Sequence, residues 1–317
     1  MKTRGLSTAW ILPGILVGAL LGVYAPLPGV ALEQLQWGAL AIMVFCIVSS
    51  LPLLSLGRAL AKPRVLAALS AVNLIVVPLV AFVLSRVVWQ QPELQVAVLL
   101  VLLAPGVALS LQTAVQAGGN IDSVLASTPV LLVGQLIVVP LYAILLSGGV
   151  LSFFDLPDTF LAIGLVIVAP ALLALITQAS LAKSPRLVTF RRGIGHVTPI
   201  VISLTVLLVL WNRIPAELEN LPELYRVVPL FFSFLVLLAP LGLLAGILAS
   251  LTAAEKRAVM IVGAGRGSLM MLPISLALDP EAWGLVPLVV IVQLGIEVIG
   301  LLVYRSIVPE IVPPPSR

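Results

Sequence analysis

Ten apolar runs fill almost the whole chain, and the charged residues fall between them. The runs lie at 8–25, 34–56, 65–88, 94–117, 123–147, 157–181, 194–211, 226–250, 258–278 and 284–306. A hydrocarbon layer about 30 Å thick is crossed by about 20 apolar residues in a helix. At that depth backbone polar groups find no water, so each run must satisfy its own hydrogen bonds. The pattern predicts an all-α polytopic membrane protein with ten transmembrane helices. Composition agrees: of 317 residues, 61% are hydrophobic and 9% charged, and the mean hydropathy is +1.23. So few charges cannot cover a soluble fold of this length, which excludes soluble enzymes and nucleic-acid binders. Disorder needs the opposite balance.

The separators, such as GRALAKPR, WQQPE, KSPRLVTFRRG and LTAAEKR, are too short to hold a soluble domain, so residues 1–317 form a single membrane unit. MKTRGLSTAW carries a basic start before an apolar run; with Pro13 and Gly14 it reads as a retained first helix, not a signal peptide. The net charge of +4 then reads as basic cytoplasmic loops, with no nucleic-acid partner. With the N-terminus inside, 13 of the 17 basic residues fall on the cytoplasmic side and Arg86, Arg213 and Arg226 outside, which predicts cytoplasmic termini in a cell (inner or plasma) membrane. A miscounted helix would collapse that bias. Cys46 has no partner for a disulfide, and neither CxxC pairs nor a His cluster offer metal-ligand spacing, so neither cofactor nor metal is expected. Cys46 reads as a core residue and His196 as an interfacial one.

Ten spans divide into two halves of five, approximately 8–147 and 157–306, which must run in opposite directions; inverted repeats are a signature of secondary transporters. Internal echoes support the division. The fourth run is interrupted at LLAPGVALS and the ninth at IVGAGRGSLMM; the fifth contains GQLIVVPLY and the tenth VQLGIEVIGLLVY, pairing Gln135 with Gln293. The third and eighth both carry a mid-span proline, Pro78 and Pro240. Pro105 removes a backbone donor and Gly106 lets the chain leave helical geometry; Gly263, Gly265 and Gly267 weaken the second site. Unwound chain at membrane depth is tolerated only within protein or beside water. The helices that restart near Val107 and Ser268, with Ser268 a candidate N-cap, would aim partial positive charge at the middle of the span. That favours a negative or oxygen-rich substrate, lined by Ser110, Gln112 and Thr113. Prolines and glycines are also common in membrane helices for packing alone.

Only Arg266 and Glu297 are charged deep within the runs. Each lies about 12 Å from the cytoplasmic end of its segment at 1.5 Å per residue, so the two are at equal depth and within reach of each other. An intramembrane charge costs about 2.5–3.5 kcal/mol and demands a partner or a role. One reading is a buried ion pair that fixes packing. The other has Glu297 exchanging a proton while Arg266 binds the anion or holds Glu297 ionised. Asn73 reads as an interhelical hydrogen bond.

The run LLAPGVALSLQTAVQAGGNIDSVLASTPVLLVGQLIVVPLY resembles the segment 4–5 region of arsenical-resistance (arsenite efflux) permeases, within the bile acid/arsenite/riboflavin transporter superfamily. KRAVMIVGAGRGSLMMLPISLAL and VVIVQLGIEVIGLLVY resemble that family's segments 9 and 10. The resemblance implies the bile acid:sodium symporter fold, with discontinuous helices 4 and 9 crossing at the midplane. It also implies a core domain of segments 3–5 and 8–10 and a panel domain of segments 1–2 and 6–7. Glu297 matches the family's segment 10 glutamate, and Arg266 falls in its segment 9 motif. Gly106 stands where the family carries its arsenite-binding cysteine, and Gly267 where it carries an asparagine. Trivalent arsenic is thiophilic, so that departure removes its obvious ligand.

These readings predict a secondary active transporter, with no enzyme activity, that exports a small oxyanion or organic anion by alternating access and proton antiport. The coupling residue is Glu297; the substrate residues are Arg266, Pro105, Gly106, Ser110, Gly265, Gly267, Ser268, Gln135 and Gln293. The partners are the anion, a proton and the lipid bilayer. A sodium-coupled organic-anion symporter, an intramembrane enzyme and a passive channel are the alternatives.

Overall fold

The computed structural model of the chain describes residues 8–27, 29–51, 62–104, 106, 108–120, 122, 131, 134, 141–142, 145–146, 164–182 and 184–313. Most of the expected fifth segment, including Gln135, lies outside the described residues, as does Pro105. The described elements are all helical: α1 (Ile11–Tyr24), α2 (Val30–Ser50), α3 (Pro63–Val88), α4 (Pro92–Leu103), α5 (Ala108–Gln116), α6 (Gly164–Leu181), α7 (Arg186–Arg213), α8 (Val228–Leu248), α9 (Ala253–Ala264), α10 (Ser268–Leu276) and α11 (Val286–Ile311). Seven described helices are long and apolar enough to cross a membrane, counting α9 and α10 as one interrupted span; α1 and α4 are shorter apolar helices.

The chain divides into two compact units. One contains Met1–Leu51, Phe153–Leu224 and Leu269–Gly295. In it α1 docks on α7 through glycines spaced by four, which put one bare face along the helix. A Cβ added at Gly14 would meet Ser203, one at Gly18 the Cα of Leu207 at 2.8 Å, and one at Gly22 the Cβ of Ile214 at 2.8 Å. Small residues let membrane helices approach to backbone contact, which supplies the dispersion energy that lipid exposure cannot. Polar side chains tie α2 to its neighbours. Asn212 Nδ2 donates to Gln36 Oε1 at 2.9 Å, Thr205 Oγ1 to the Ala39 carbonyl at 3.2 Å, and Gln178 Nε2 to the Val48 carbonyl at 3.0 Å. Helix α7 begins eight residues before the expected start at 194 and takes in Arg191 and Arg192. Charge did not end it because Arg191 folds back, its Nη2 donating to Gln178 Oε1 at 2.8 Å.

The second unit contains Pro52–Ser152, Tyr225–Ser268 and Ile296–Arg317. Within α3 the chain makes a π turn over Val72–Val76, just before Pro78. Pro78 has no N–H to offer the preceding turn; the Leu74 carbonyl, four residues back, accepts a hydrogen bond from Tyr142 Oη at 2.9 Å. Helix α8 carries Pro240 inside, and the nearby Leu235 carbonyl accepts from Tyr304 Oη. Helix α9 starts on a capping box formed by Thr252 and Glu255 and comes within backbone distance of α8, where a Cβ at Gly242 would lie 3.0 Å from the Met260 Cα. Arg257, expected at the cytoplasmic loop, is instead buried. Its Nη1 donates to the carbonyls of Ala117 and Gly118 at 3.2 and 3.1 Å, and its Nε to that of Val312 at 3.0 Å. It thereby neutralises the carbonyl end of α5, where Gly118 turns the chain with φ +69°.

Candidate functional site

Both expected interruptions are present in the second unit. Helix α4 ends at Leu103 and α5 begins at Ala108. Helix α9 ends at Ala264, Gly265 is extended (φ −69°, ψ 139°), and α10 begins at Ser268. Gly265 lets the chain leave α9 directly against the other break: a Cβ at Gly106 would collide with the Gly265 carbonyl and lie 2.9 Å from the Arg266 Cα. A Cβ at Gly265 would strike Ser110 and lie 3.4 Å from Glu297 Oε1. Glycine is required at 106 because backbone packs on backbone, and at 265 because the Ser110 side chain occupies the space. The cysteine that the resemblance sets at position 106 has no space for its side chain.

Around this contact lie Arg266 (2% exposed) and Glu297 (1% exposed). The two meet through the main chain: Glu297 Oε1 accepts the Arg266 backbone N–H at 2.8 Å. The carboxylate thus satisfies a main-chain donor in the break, where the chain has left helical geometry. The guanidinium turns to α3 and to its own helix end. Its Nη2 donates to Asn73 Oδ1 at 2.9 Å and to the Gly263 carbonyl at 2.6 Å, and its Cζ lies 5.7 Å from the centroid of the Phe234 ring. Asn73 is held in turn by Nδ2 donating to the Leu69 carbonyl at 2.8 Å. Among the described residues, Arg266 Nε and Nη1, Ser110 Oγ and Ser268 Oγ are buried with no hydrogen-bond partner. A buried unpaired polar group costs about 1–3 kcal/mol, more when charged. The open groups are thus guanidinium N–H donors and two hydroxyls, which can donate as well as accept.

Six of the expected residues, Gly106, Ser110, Gly265, Arg266, Ser268 and Glu297, come to this one place, and Gly267 links Arg266 to α10. Ser268 is the first residue of α10, not its cap, and its hydroxyl stays unbonded. Thr113 Oγ1 is spent on the Leu109 carbonyl at 3.1 Å. Gln293 is buried on α11 one turn before Glu297 but belongs to the first unit. Phe234 was missed from sequence, whereas Asn73 makes the interhelical hydrogen bond expected of it, with Arg266 as the donor. No group of three or more His, Cys, Asp or Glu side chains among the described residues could hold a metal ion.

Seven described helices of spanning length, together with a family match, make this a multi-pass membrane protein and point to a transporter rather than an enzyme. The model of the Sodium Bile acid symporter family matches residues 38–216, more than half of the chain, and the chain belongs to that family. This sets it in the bile acid/arsenite/riboflavin transporter superfamily. The matched stretch covers the first helix break and ends before the second. No curated protein matches the chain.

Proposed function

We propose that the protein is a secondary active transporter that moves a small oxyanion or organic anion by alternating access, with a proton as the coupling ion. The observation that carries this reading is the cluster of buried, unpartnered donors at the two breaks: Arg266 Nε and Nη1, Ser110 Oγ and Ser268 Oγ. The open groups there, guanidinium N–H and hydroxyl, can all donate, so the ligand that complements them is rich in acceptors and negative. The starts of α5 and α10 add partial positive charge. The remaining substrate residues in this reading are Pro105, Gly106, Gly265, Gly267, Gln135 and Gln293, with Glu297 the proton carrier.

The same reading takes the chain as ten helices in two inverted halves, with both termini cytoplasmic, and with segments 3–5 and 8–10 moving against segments 1–2 and 6–7. Repetition supports it. A terminal tyrosine of the expected fifth and tenth segments, Tyr142 and Tyr304, donates to a carbonyl just before the mid-span proline of the third and eighth. Arsenical-resistance permeases remain the branch that the two motifs resemble, but arsenite is disfavoured as cargo because position 106 admits no thiol.

A second reading, sodium-coupled symport of a bile-acid-like anion, is favoured by the family itself. Sodium requires oxygen ligands, and a guanidinium among open donors is a poor neighbour for it, which supports the proton. Uptake into proteoliposomes separates the two. Flux of a tested anion that persists without sodium and falls at least tenfold in Arg266→Gln supports the main reading. Flux that requires sodium and survives that substitution overturns it.

A further inference from the structure

The charge balance of the site sets the sign of coupling. From the Glu297 carboxylate on the Arg266 N–H, beside the open donors, we infer that anion and proton bind together and cross in the same direction, as a symport. This rests on the reading of the breaks as an anion site.

Glu297 Oε1 holds the backbone N–H of Arg266, in the same break that leaves Arg266 Nε and Nη1 and the hydroxyls of Ser110 and Ser268 open. An anion among these donors sits beside an ionised carboxylate. At roughly 5 Å and an effective dielectric of about 20, that repulsion weakens its binding by about two hundredfold. Protonating Glu297 removes the repulsion and frees the main-chain donor. By reciprocity, the bound anion strengthens proton binding to Glu297 by the same factor.

Among the described residues, the side chains placed against Arg266 and the break bring no further titratable charge. The α9–α10 connection brings Arg266; α3 brings Asn73, α5 Ser110 and α8 Phe234, all neutral. Arg266 and Glu297 are also the only charges deep in the apolar runs. The empty site, guanidinium plus carboxylate, sums to zero. Loaded with a monoanion and a proton on Glu297, it again sums to zero. Both forms cross the low-dielectric layer without a net charge. Antiport, the expectation from sequence, requires a carrier of net −1 with anion bound and of net +1 with proton bound, and each is penalised by desolvation. The proton is taken from water onto the Glu297 carboxylate on one side. It returns to water on the other side, when the anion leaves and the carboxylate recaptures the Arg266 N–H.

The test uses the full chain in sodium-free proteoliposomes that enclose a pH-sensitive dye, with the potential clamped by potassium and valinomycin. Methanesulfonate and taurocholate serve as probes because neither carries a proton across by itself. Symport predicts luminal acidification as either anion enters, at a rate that the clamped potential does not change. It also predicts binding to the purified protein that tightens as pH falls. Glu297→Gln, a mimic of the protonated acid, should bind the anion independently of pH and exchange anion for anion, without net acidification. Luminal alkalinisation on anion entry, potential-dependent flux, or unaltered pH dependence in Glu297→Gln overturns the symport while leaving the anion site intact. Absence of binding and flux for both anions in the unaltered protein, at every pH, overturns the anion reading itself.

Discussion

At the scale of single residues, the site turns on how one guanidinium is held. Asn73 takes Arg266 Nη2, so its role is separable from packing by charge. Asn73→Ala leaves a buried cation short of an acceptor and should cost about 2 kcal/mol of stability. Asn73→Asp keeps the acceptor but neutralises the guanidinium, and should lower anion affinity about a hundredfold with a smaller change in melting temperature. Binding titrations alongside thermal unfolding in detergent check both. If Asn73→Asp binds the anion as the unaltered protein does, Arg266 is structural. Arg266 and Glu297 were legible from sequence because charge is so rare in these runs. Their manner of meeting was not: a side chain bonding to a main-chain amide leaves no pattern of residue types. Asn73 was undervalued for a related reason. The π turn over Val72–Val76 shifts the register of α3, and ordinary helical spacing does not anticipate which face then meets Arg266.

At the scale of elements, the breaks were readable and the docking surfaces were not. Pro105-Gly106 and the Gly263–Gly267 cluster announced the interruptions through backbone chemistry that is local to a few residues. Gly14, Gly18 and Gly22 carry an equally plain spacing, yet its meaning depends on a partner, α7, some 190 residues away in the chain. The close approach at Gly18 makes a direct prediction. Gly18→Leu drives a side chain into Leu207 and should destabilise the protein by about 1–3 kcal/mol, seen as a lowered melting temperature in detergent, whereas Gly29→Leu, where a Cβ meets nothing, should not. The start of α7 shows the converse error. Charged residues ended the expected segment at 194, but a helix long enough to reach past the lipid can keep its arginines and still fold one, half-buried, against Gln178.

For the whole molecule, hydropathy read the class, since it is a sum over many positions and survives local mistakes, and the basic residues predict cytoplasmic termini. The topology is open to a labelling test that the chain itself facilitates, because its one cysteine, Cys46, is buried. Cysteine introduced at exposed Glu219 should react with an impermeant maleimide on intact cells, and cysteine at exposed Glu310 only after permeabilisation. The reverse pattern would invert the orientation and exchange the two faces of the transport cycle. Order along the chain also matters here. The family match ends at residue 216, whereas Arg266 and Glu297 lie beyond it, so the most distinctive chemistry resides in the second half.

The contact of Gly106 on Gly265 bears on how such a site can change its cargo over generations. A mutation that supplies a thiol at position 106 would push the two breaks apart before the sulfur could serve as a ligand. Descent toward soft-metalloid transport from this chain is therefore blocked at its shortest step and must begin elsewhere, by loosening the crossing first. The open hydroxyls beside it face no such barrier: Ser110 and Ser268 can each be exchanged for another small polar residue while the glycines stay in place. Diversification of ligand in this lineage should run through the serines.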